Sequence, residues 1–399
     1  MPKPLISKVK AKVKARNTGD NGPRKRAKAE KTPSAAGGNE RDGEMPREIL
    51  VVAGTYERLL YGLTGKWAES DNDNAKIDLE PVFIMPAHTG CVKTLSIGGR
   101  YLATGSTDET IKLFDVKKLR ELGSLHHHSG TITQVLFHGQ SHLLTTSEDG
   151  TICIFRSKDW EMLQKLKGHK AAVNSFAVHP SGKLAISVAK DRTAVVWNLM
   201  TGKKASKTKL AQQGEVICWN KSGTRYAVVS GNMVTIYNIK DASVHSEVRH
   251  THSITSVEYL EQQQGQELLV LGSQSKQLFV YQIPETNAEV VGSGKLVLTW
   301  ESHDNRIKGL SVVEVKRPDD SEVRILTSIS SDGKIKLWDL GAALAMIPQQ
   351  DGQPESPVAA TTSAVAMAPE DVQAILLGSY NADCRLTCVA TSPNVIDSK

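Results

Sequence analysis

The chain has few aromatic residues: Phe, Trp and Tyr make up 5% of its 399 residues. Its core must therefore be built from Val, Ile, Leu and Ala, side chains that largely suit a pleated sheet. Cysteine is also sparse. Cys91, Cys153, Cys218, Cys384 and Cys388 stand apart with no CxxC pair, which argues against a disulfide framework or a zinc ribbon. With no secretory leader ahead of them, reduced thiols in an intracellular protein are expected. Cys384 and Cys388 flank a strand-like stretch and read as packed thiols. No apolar run reaches the roughly eighteen residues that a membrane helix needs. The motifs GxSxG, GxxxxGKS/T and HExxH are missing, and with them the simplest signatures of esterase, nucleotide and metalloprotease chemistry. His126, His127 and His128 are adjacent, but consecutive residues rarely turn three ligands toward one ion, and no Cys or carboxylate cluster accompanies them. The expectation is a chain without cofactor, metal, small-molecule substrate or membrane.

Charge is unevenly placed. Residues 1–47 hold 13 Lys/Arg against 5 Asp/Glu, whereas the remainder holds 36 against 38. The body is near neutral and the excess sits in the N-terminal stretch. That stretch has too few large apolar side chains to offset the entropy of ordering, so a disordered basic tail is expected over 1–47. It carries two clusters, residues 8–16 (KVKAKVKAR) and Arg24, Lys25, Arg26 and Lys28. The second follows Pro23 and reads as a nuclear localisation signal. Basic runs of this density also bind polyanions through counterion release.

What is abundant is repetition. Residues 326–340 read LTSISSDGKIKLWDL, an apolar strand, a polar turn at Ser331-Asp332-Gly333, then an alternating strand ending in Trp338-Asp339. That is the pattern of a half-buried β-hairpin. It recurs. Asp108, Asp149, Asp191 and Asp332 each stand six residues before an aromatic (Phe114, Phe155, Trp197, Trp338) and four after a hydroxyl (Thr104, Thr145, Ser187, Ser328). A His precedes each set: His88, His128, His169 and His303. Two further units are incomplete. Residues 214–238 have neither His nor Asp, and residues 252–282 keep His252 but carry Ser275 where Asp stands elsewhere. The closing aromatics Phe114, Phe155, Trp197, Tyr237, Tyr281 and Trp338 are 41, 42, 40, 44 and 57 residues apart. A period near forty with four short strands per unit is that of WD40 β-propeller blades.

Six units are visible, and the ends supply a seventh. Residues 48–62 read as two strands around a turn near Thr55, 64–80 as a polar loop, and 81–85 as a short third strand. A strand over 385–390 has no partners of its own. The expectation is an all-β, seven-bladed propeller over 48–392, its closing blade shared by 48–86 and 384–392, with 393–399 as a tail. Insertions are expected at 284–295, 315–323 and, as a flexible segment, 341–371, with a further strand over 372–378.

A Ser, His and Asp in one set could suggest nucleophilic catalysis. Four copies argue otherwise, since an active site is needed once. In a blade the Asp lies in the turn between second and third strands and the His in the loop entering the first. Asp accepts from the imidazole N–H, the imidazole takes the Ser or Thr hydroxyl, and that hydroxyl meets the indole N–H of Trp197 or Trp338. With Phe114 and Phe155 the chain of bonds stops at Thr104 and Thr145. These fourteen residues are read as a structural network, and no catalytic residue is expected. Lys170, Lys190, Arg192, Asn305 and Arg306 border the same loops and are candidate contacts for RNA or an acidic partner.

Beyond the repeat, the stretches EILVVAGTYERLLYG, LATGSTDETIKLFDVKK, HHSGTITQVLF, HPSGKLAISVAKDRTAVVWNL, ESHDNRIKGL, SSDGKIKLWDL and NADCRLTCVA resemble the p21-activated kinase-interacting protein family of WD40 proteins, over roughly residues 48–392. The resemblance implies a nucleolar factor in large ribosomal subunit assembly, a scaffold that binds proteins of the pre-60S particle and/or rRNA. Animal members are also described as inhibitors of p21-activated kinases, which implies a kinase partner as the alternative. The family usually carries its long basic tail at the C-terminus, whereas here it is N-terminal. A ubiquitin-ligase receptor often ends a blade in Trp-Asp-x-Arg; here those positions read Phe114-Asp115-Val116-Lys117, Trp197-Asn198-Leu199-Met200 and Trp338-Asp339-Leu340-Gly341, which weakens that reading.

Overall fold

The computed structural model describes residues 47–68, 76–262, 265–284, 291–347 and 365–393. The basic clusters of the tail, Arg24, Lys25, Arg26 and Lys28 included, lie outside the described residues.

The strands form seven sheets, each built on four antiparallel strands. Blades 1 to 6 take residues 92–125, 132–167, 173–209, 216–249, 254–301 and 307–381. Blade 7 joins the two ends of the domain: Leu386–Ser392 is its innermost strand and pairs with Ile49–Thr55, which continues to Leu59–Trp67 and Ile77–Pro86. Strand alternation explains how this one blade closes the ring. Side chains of successive residues point to opposite faces. Leu50 and Val52 pack on Leu95, Leu102 and Phe114 of blade 1, while Ile49 and Val51 pack on Val313, Ile325 and Ile335 of blade 6. Every residue of Ile49–Thr55 is buried. The outer strand of blade 3, Lys203–Lys209, has a neighbour on one side only and is polar and largely exposed.

Three sequence expectations change. The loop expected over 64–80 is shorter, because its flanks continue the sheet to Trp67 and resume it at Ile77. The strand expected over 372–378 is a helix, Pro369–Ile375, followed by the strand Leu376–Asn381 that completes blade 6. Pro369 sits at the helix start with Glu370 and Asp371 in the first turn, an arrangement favoured by the free N–H groups and the dipole there. The segment expected to be featureless, 341–371, contains most of a second helix, Leu340–Ala345, with Asp339 as N-cap accepting from the Ala342 amide at 2.9 Å. It also contains a two-residue strand, Val365–Ala366, on the outer edge of blade 5; residues 348–364 lie outside the described residues. Gly292–Ser293, from the 284–295 insertion, covers the edge of blade 4 in the same way. Such additions shield an open sheet edge. The 315–323 insertion lengthens one hairpin of blade 6, whose strands Ile307–Lys316 and Glu322–Ser330 run ten and nine residues.

Candidate functional site

One end of the ring carries the loops that enter each inner strand and the turns between second and third strands. In blades 1, 2, 3 and 6 this end holds the repeated polar set. His88 Nδ1 lies 3.0 Å from Asp108 Oδ2, and its Nε2 lies 2.8 Å from Thr104 Oγ1. His128 makes the same pair with Asp149 at 3.0 Å and Thr145 at 2.9 Å. In blade 3, His169 Nδ1 is 3.2 Å from Asp191 Oδ1 and Nε2 is 2.7 Å from Ser187 Oγ, which accepts from Trp197 Nε1 at 2.8 Å. In blade 6, His303 Nε2 is 2.8 Å from Ser328 Oγ, which accepts from Trp338 Nε1 at 2.8 Å. His303 Nδ1 is 3.3 Å from Asp332 Oδ2 but off the hydrogen-bond direction. The proton assignment that satisfies these sets puts the imidazole proton on Nδ1, toward the carboxylate.

A hydroxyl two residues after the Asp, which the sequence reading passed over, belongs to the set. Thr110, Thr151 and Thr193 each donate to their Asp at 2.6 Å; blade 6 has the Lys334 amide on Asp332 at 2.9 Å instead. The residue after each Asp is left-handed, with φ of +65° at Glu109, +78° at Gly150, +55° at Arg192 and +83° at Gly333. Two of the four therefore place a side chain in a conformation that favours glycine, and the carboxylate's bonds hold them there.

The electrostatics follow from burial. Burial alone would raise Asp191, but the Thr193 hydroxyl, the Lys170 amide and His169 hold it down at about 2. Asp108, Asp149 and Asp332 are lowered by comparable bonds acting against burial. Burial pushes His88, His128, His169 and His303 down, opposed by the adjacent carboxylate. Neutral imidazole and ionised carboxylate is the ground state of each set. Thr104, Thr145, Ser187 and Ser328 are 0% exposed, so no substrate atom reaches these hydroxyls, and the arrangement fixes turn geometry.

Blades 4 and 5 differ. Position is set by the inner strand, which begins four residues after the network His in blades 1, 2, 3 and 6. Blade 5 begins at Ile254, so the matching residue is the buried His250, and the exposed His252 is two places off. His250 Nδ1 meets Tyr281 Oη at 3.1 Å. Leu271 stands where the hydroxyl would be. These two blades are tied at their other end: Glu267 accepts from Asn220 Nδ2 and Arg225 Nη1, both at 2.8 Å, and from Tyr259 Oη at 2.5 Å.

The other sequence candidates divide. Lys170 gives its amide to Asp191 at 3.0 Å, Lys190 reaches Glu148 at 3.4 Å, and Arg192 is exposed beside them on blade 3. Asn305 and Arg306, three blades on, line a depression of about 430 Å³ with Gln274, Ser331 and Arg385. The five thus form two separate groups. His126 meets Ser124 at 2.8 Å, His127 stands edge-on to Phe155, and His128 belongs to blade 2, so the three rings point apart. No cluster of three His, Cys, Asp or Glu fit for a metal occurs among the described residues. All five cysteines are free, and burial raises the Cys384 thiol and pushes Cys388 up to about 12. No helix among the described residues is long and apolar enough to cross a membrane.

Seven blades built on four antiparallel strands, four of them with a His and an Asp paired across their loops, define a WD40 propeller. The family model "WD domain, G-beta repeat" matches residues 79–115, 119–156, 160–198 and 294–339. The chain is 35% identical over 345 residues to a p21-activated protein kinase-interacting protein 1-like protein of Danio rerio, covering 86% of this chain and 81% of that one. It is 39% identical over 291 residues to p21-activated protein kinase-interacting protein 1 of Homo sapiens, covering 73% and 70%. It is 32% identical over 328 residues to Protein MAK11 of Saccharomyces cerevisiae, covering 73% and 78%. The chain belongs to the p21-activated protein kinase-interacting protein 1 family, and is a WD40 scaffold.

Proposed function

We propose that this protein is a non-catalytic scaffold in assembly and maturation of the large ribosomal subunit precursor, acting in the nucleus and nucleolus through pre-60S proteins and rRNA. The observation that carries this reading is the division of labour along the chain. The propeller's reactive groups are spent inside its blades, with hydroxyls at 0% exposure. The first 47 residues carry an excess of eight positive charges over a body near neutrality, which suits import and polyanion contact. The family resemblance in the sequence points the same way. The test is gradient sedimentation of tagged protein from cells. Co-migration with large-subunit precursors is expected, lost at high salt if rRNA contacts dominate. Sedimentation only as a free monomer overturns the reading.

A second reading is favoured by the relatives' names: an adaptor that binds and negatively regulates a p21-activated kinase. A pull-down with the kinase regulatory region decides it. Retention of the kinase region supports it, and no retention removes it.

A further inference from the structure

Six of the seven inner strands carry a β-bulge near their start, where one residue slips out of register. The slipped residues are Lys93, Thr133, Asn174, Thr255, Lys308 and Thr387. Bulges at the rim of a closed sheet re-aim a side chain. In four blades the re-aimed group ties its blade to the next. Thr133 donates to Val173 O and Thr387 to Val92 O at 2.6 Å, Asn174 to Gly214 O at 2.7 Å, and Thr255 to Ile307 O at 2.9 Å. In blades 1 and 6 the same position holds a lysine and no such tie is formed. Those blades flank blade 7, so Lys93 and Lys308 stand on either side of the closing strand. A position that is structural elsewhere and departs from the rule here marks a site kept for another purpose.

Two guanidiniums join them. Arg306 comes from the loop entering blade 6 and Arg385 from the loop entering blade 7. Each is held in place, Arg306 Nε by Ser331 Oγ at 3.2 Å and Arg385 above the Tyr56 ring at 5.4 Å. Burial and then the charges of Arg306, Arg385 and Lys93 push Lys308 down, so the four act on one another. None of them forms an ion pair among the described residues. The acids of the rim do not neutralise them: Asp304 is paired with Lys334 at 2.5 Å, Asp332 belongs to the His303 set, and Asp383 accepts from Asn381 at 2.7 Å. Glu57 is exposed and forms no ion pair with any of the four. Gln274, Asn305 and Ser331 add amide and hydroxyl donors to the depression beside the guanidiniums.

We infer that the mouth over blades 6, 7 and 1 seats a short acidic peptide of a protein partner, whose carboxylate or phosphoryl oxygens are held by Lys93, Arg306, Lys308 and Arg385. Arginines with a matched fork and amide donors beside them are the chemistry that binds such oxyanions. A peptide fits better than RNA. The cluster is compact, and Glu57, Asp304 and Asp383 are exposed around it. A nucleic acid carries a charge at every nucleotide and would run onto those acids, whereas a peptide brings its charge to one point. The inference rests on the scaffold reading only in requiring a protein partner.

The test uses the full chain and short fluorescent peptides: one rich in Glu, one with phosphoserine, one with Gln replacing Glu, and a single-stranded RNA as competitor. The Lys93→Thr/Lys308→Thr variant gives blades 1 and 6 the residue that blades 2, 5 and 7 already carry, so it folds, with a melting temperature no lower than the parent's. Arg306→Gln/Arg385→Gln is the second variant. Anisotropy is expected to show binding of the Glu peptide, the phosphoserine peptide or both, which identifies the source of the oxyanion, and ~tenfold or greater weakening in each variant. The basic tail contributes equally to all variants, so this difference reads the mouth alone. Undiminished binding by both variants, equal binding of the Gln peptide, or no binding of either acidic peptide overturns the proposal. Stronger binding of RNA with the same dependence on the four cations reassigns the mouth to nucleic acid and overturns it equally. None of these outcomes depends on sedimentation with ribosomal precursors.

Discussion

Blades 3 and 6 and blades 4 and 5 reach the same architecture by different polar devices. In blade 3 an Asp, a His, a Ser and a Trp are joined in one line from turn to core, at the end of the ring that bears the entry loops; blade 6 keeps its His–Ser–Trp part, with Asp332 Oδ2 3.3 Å from His303 Nδ1. In the second pair no such line exists. Blade 4 has Gln212 and Gly231 at the places of the His and Asp, and His250 of blade 5 turns its Nδ1 to Tyr281. Instead one carboxylate, Glu267, gathers Asn220, Arg225 and Tyr259 at the opposite end and joins the two blades to each other. The hydrophobic interfaces are similar in kind throughout. Apolar burial therefore sets the propeller, and the polar sets decide at which end each blade is tied. Within a blade the line through His fixes its own turn. The Glu267 knot fixes one blade against the next.

This comparison breaks most sharply at Glu267. Glu267→Ala leaves three donors without their acceptor at a residue that is 9% exposed. A loss of about 3 kcal/mol is expected in denaturant unfolding, with blades 4 and 5 exchanging amide hydrogens first. Asp191→Ala comes next. It removes the acceptor of His169, Thr193 and the Lys170 amide, and about 2 kcal/mol is expected. An unchanged melting temperature for Asp191→Ala would leave the His line without a structural role.

The His lines were legible because their residues keep fixed spacing inside each repeat: hydroxyl, four to Asp, six to aromatic. The Glu267 knot was not. Its members lie up to 47 residues apart and occur once, so no period announces them. The bulges were equally silent, because a slipped residue changes pairing and leaves the apolar pattern intact. His252 stands in the sequence pattern where the fold puts His250: the two differ by two places, and only the start of the strand at Ile254 separates them. Pro369 with Glu370 and Asp371 did signal a helix start, but the apolar residues Val372, Ile375, Leu376 and Leu377 also fit a short strand, and short apolar runs do not distinguish the two. Sequence order gave no means to see that Arg306 and Arg385, from the loops entering blades 6 and 7, line one depression.

A graded effect of acid sharpens the comparison further. The folded pKa values of His88, His128, His169 and His303 are lowered by burial. Unfolded imidazole takes its proton near pH 6.5, so between there and the folded value the unfolded chain binds more protons. Stability from these groups is complete above about pH 6.5 and is lost as pH falls below it. The lowered carboxylates act in the same direction, below about pH 4. The melting temperature is expected to be flat from pH 7 to 8 and to fall from pH 6.5 to 5. His169→Asn should flatten that fall slightly. A melting temperature that rises on acidification contradicts neutral imidazoles in the blades.

The smallest effect is expected from restoring the missing carboxylate. Ser275→Asp gives blade 5 the turn residue of blades 1, 2, 3 and 6. Its His250 presents Nδ1 to Tyr281 rather than to the turn, and Leu271 offers no hydroxyl to Nε2, which has no partner. The new carboxylate would therefore find neither an imidazole N–H nor a completed line. It would meet Ser273 Oγ and the Gln277 amide, which Ser275 meets now at 2.7 and 3.3 Å, and would lose the bond that Ser275 donates to Gln277 O at 3.4 Å. A change within about 0.5 kcal/mol is expected by denaturant unfolding. A gain on the scale of the Asp191 loss would mean that the imidazole turns to meet the carboxylate, and that the two kinds of blade differ by one residue rather than by the whole line.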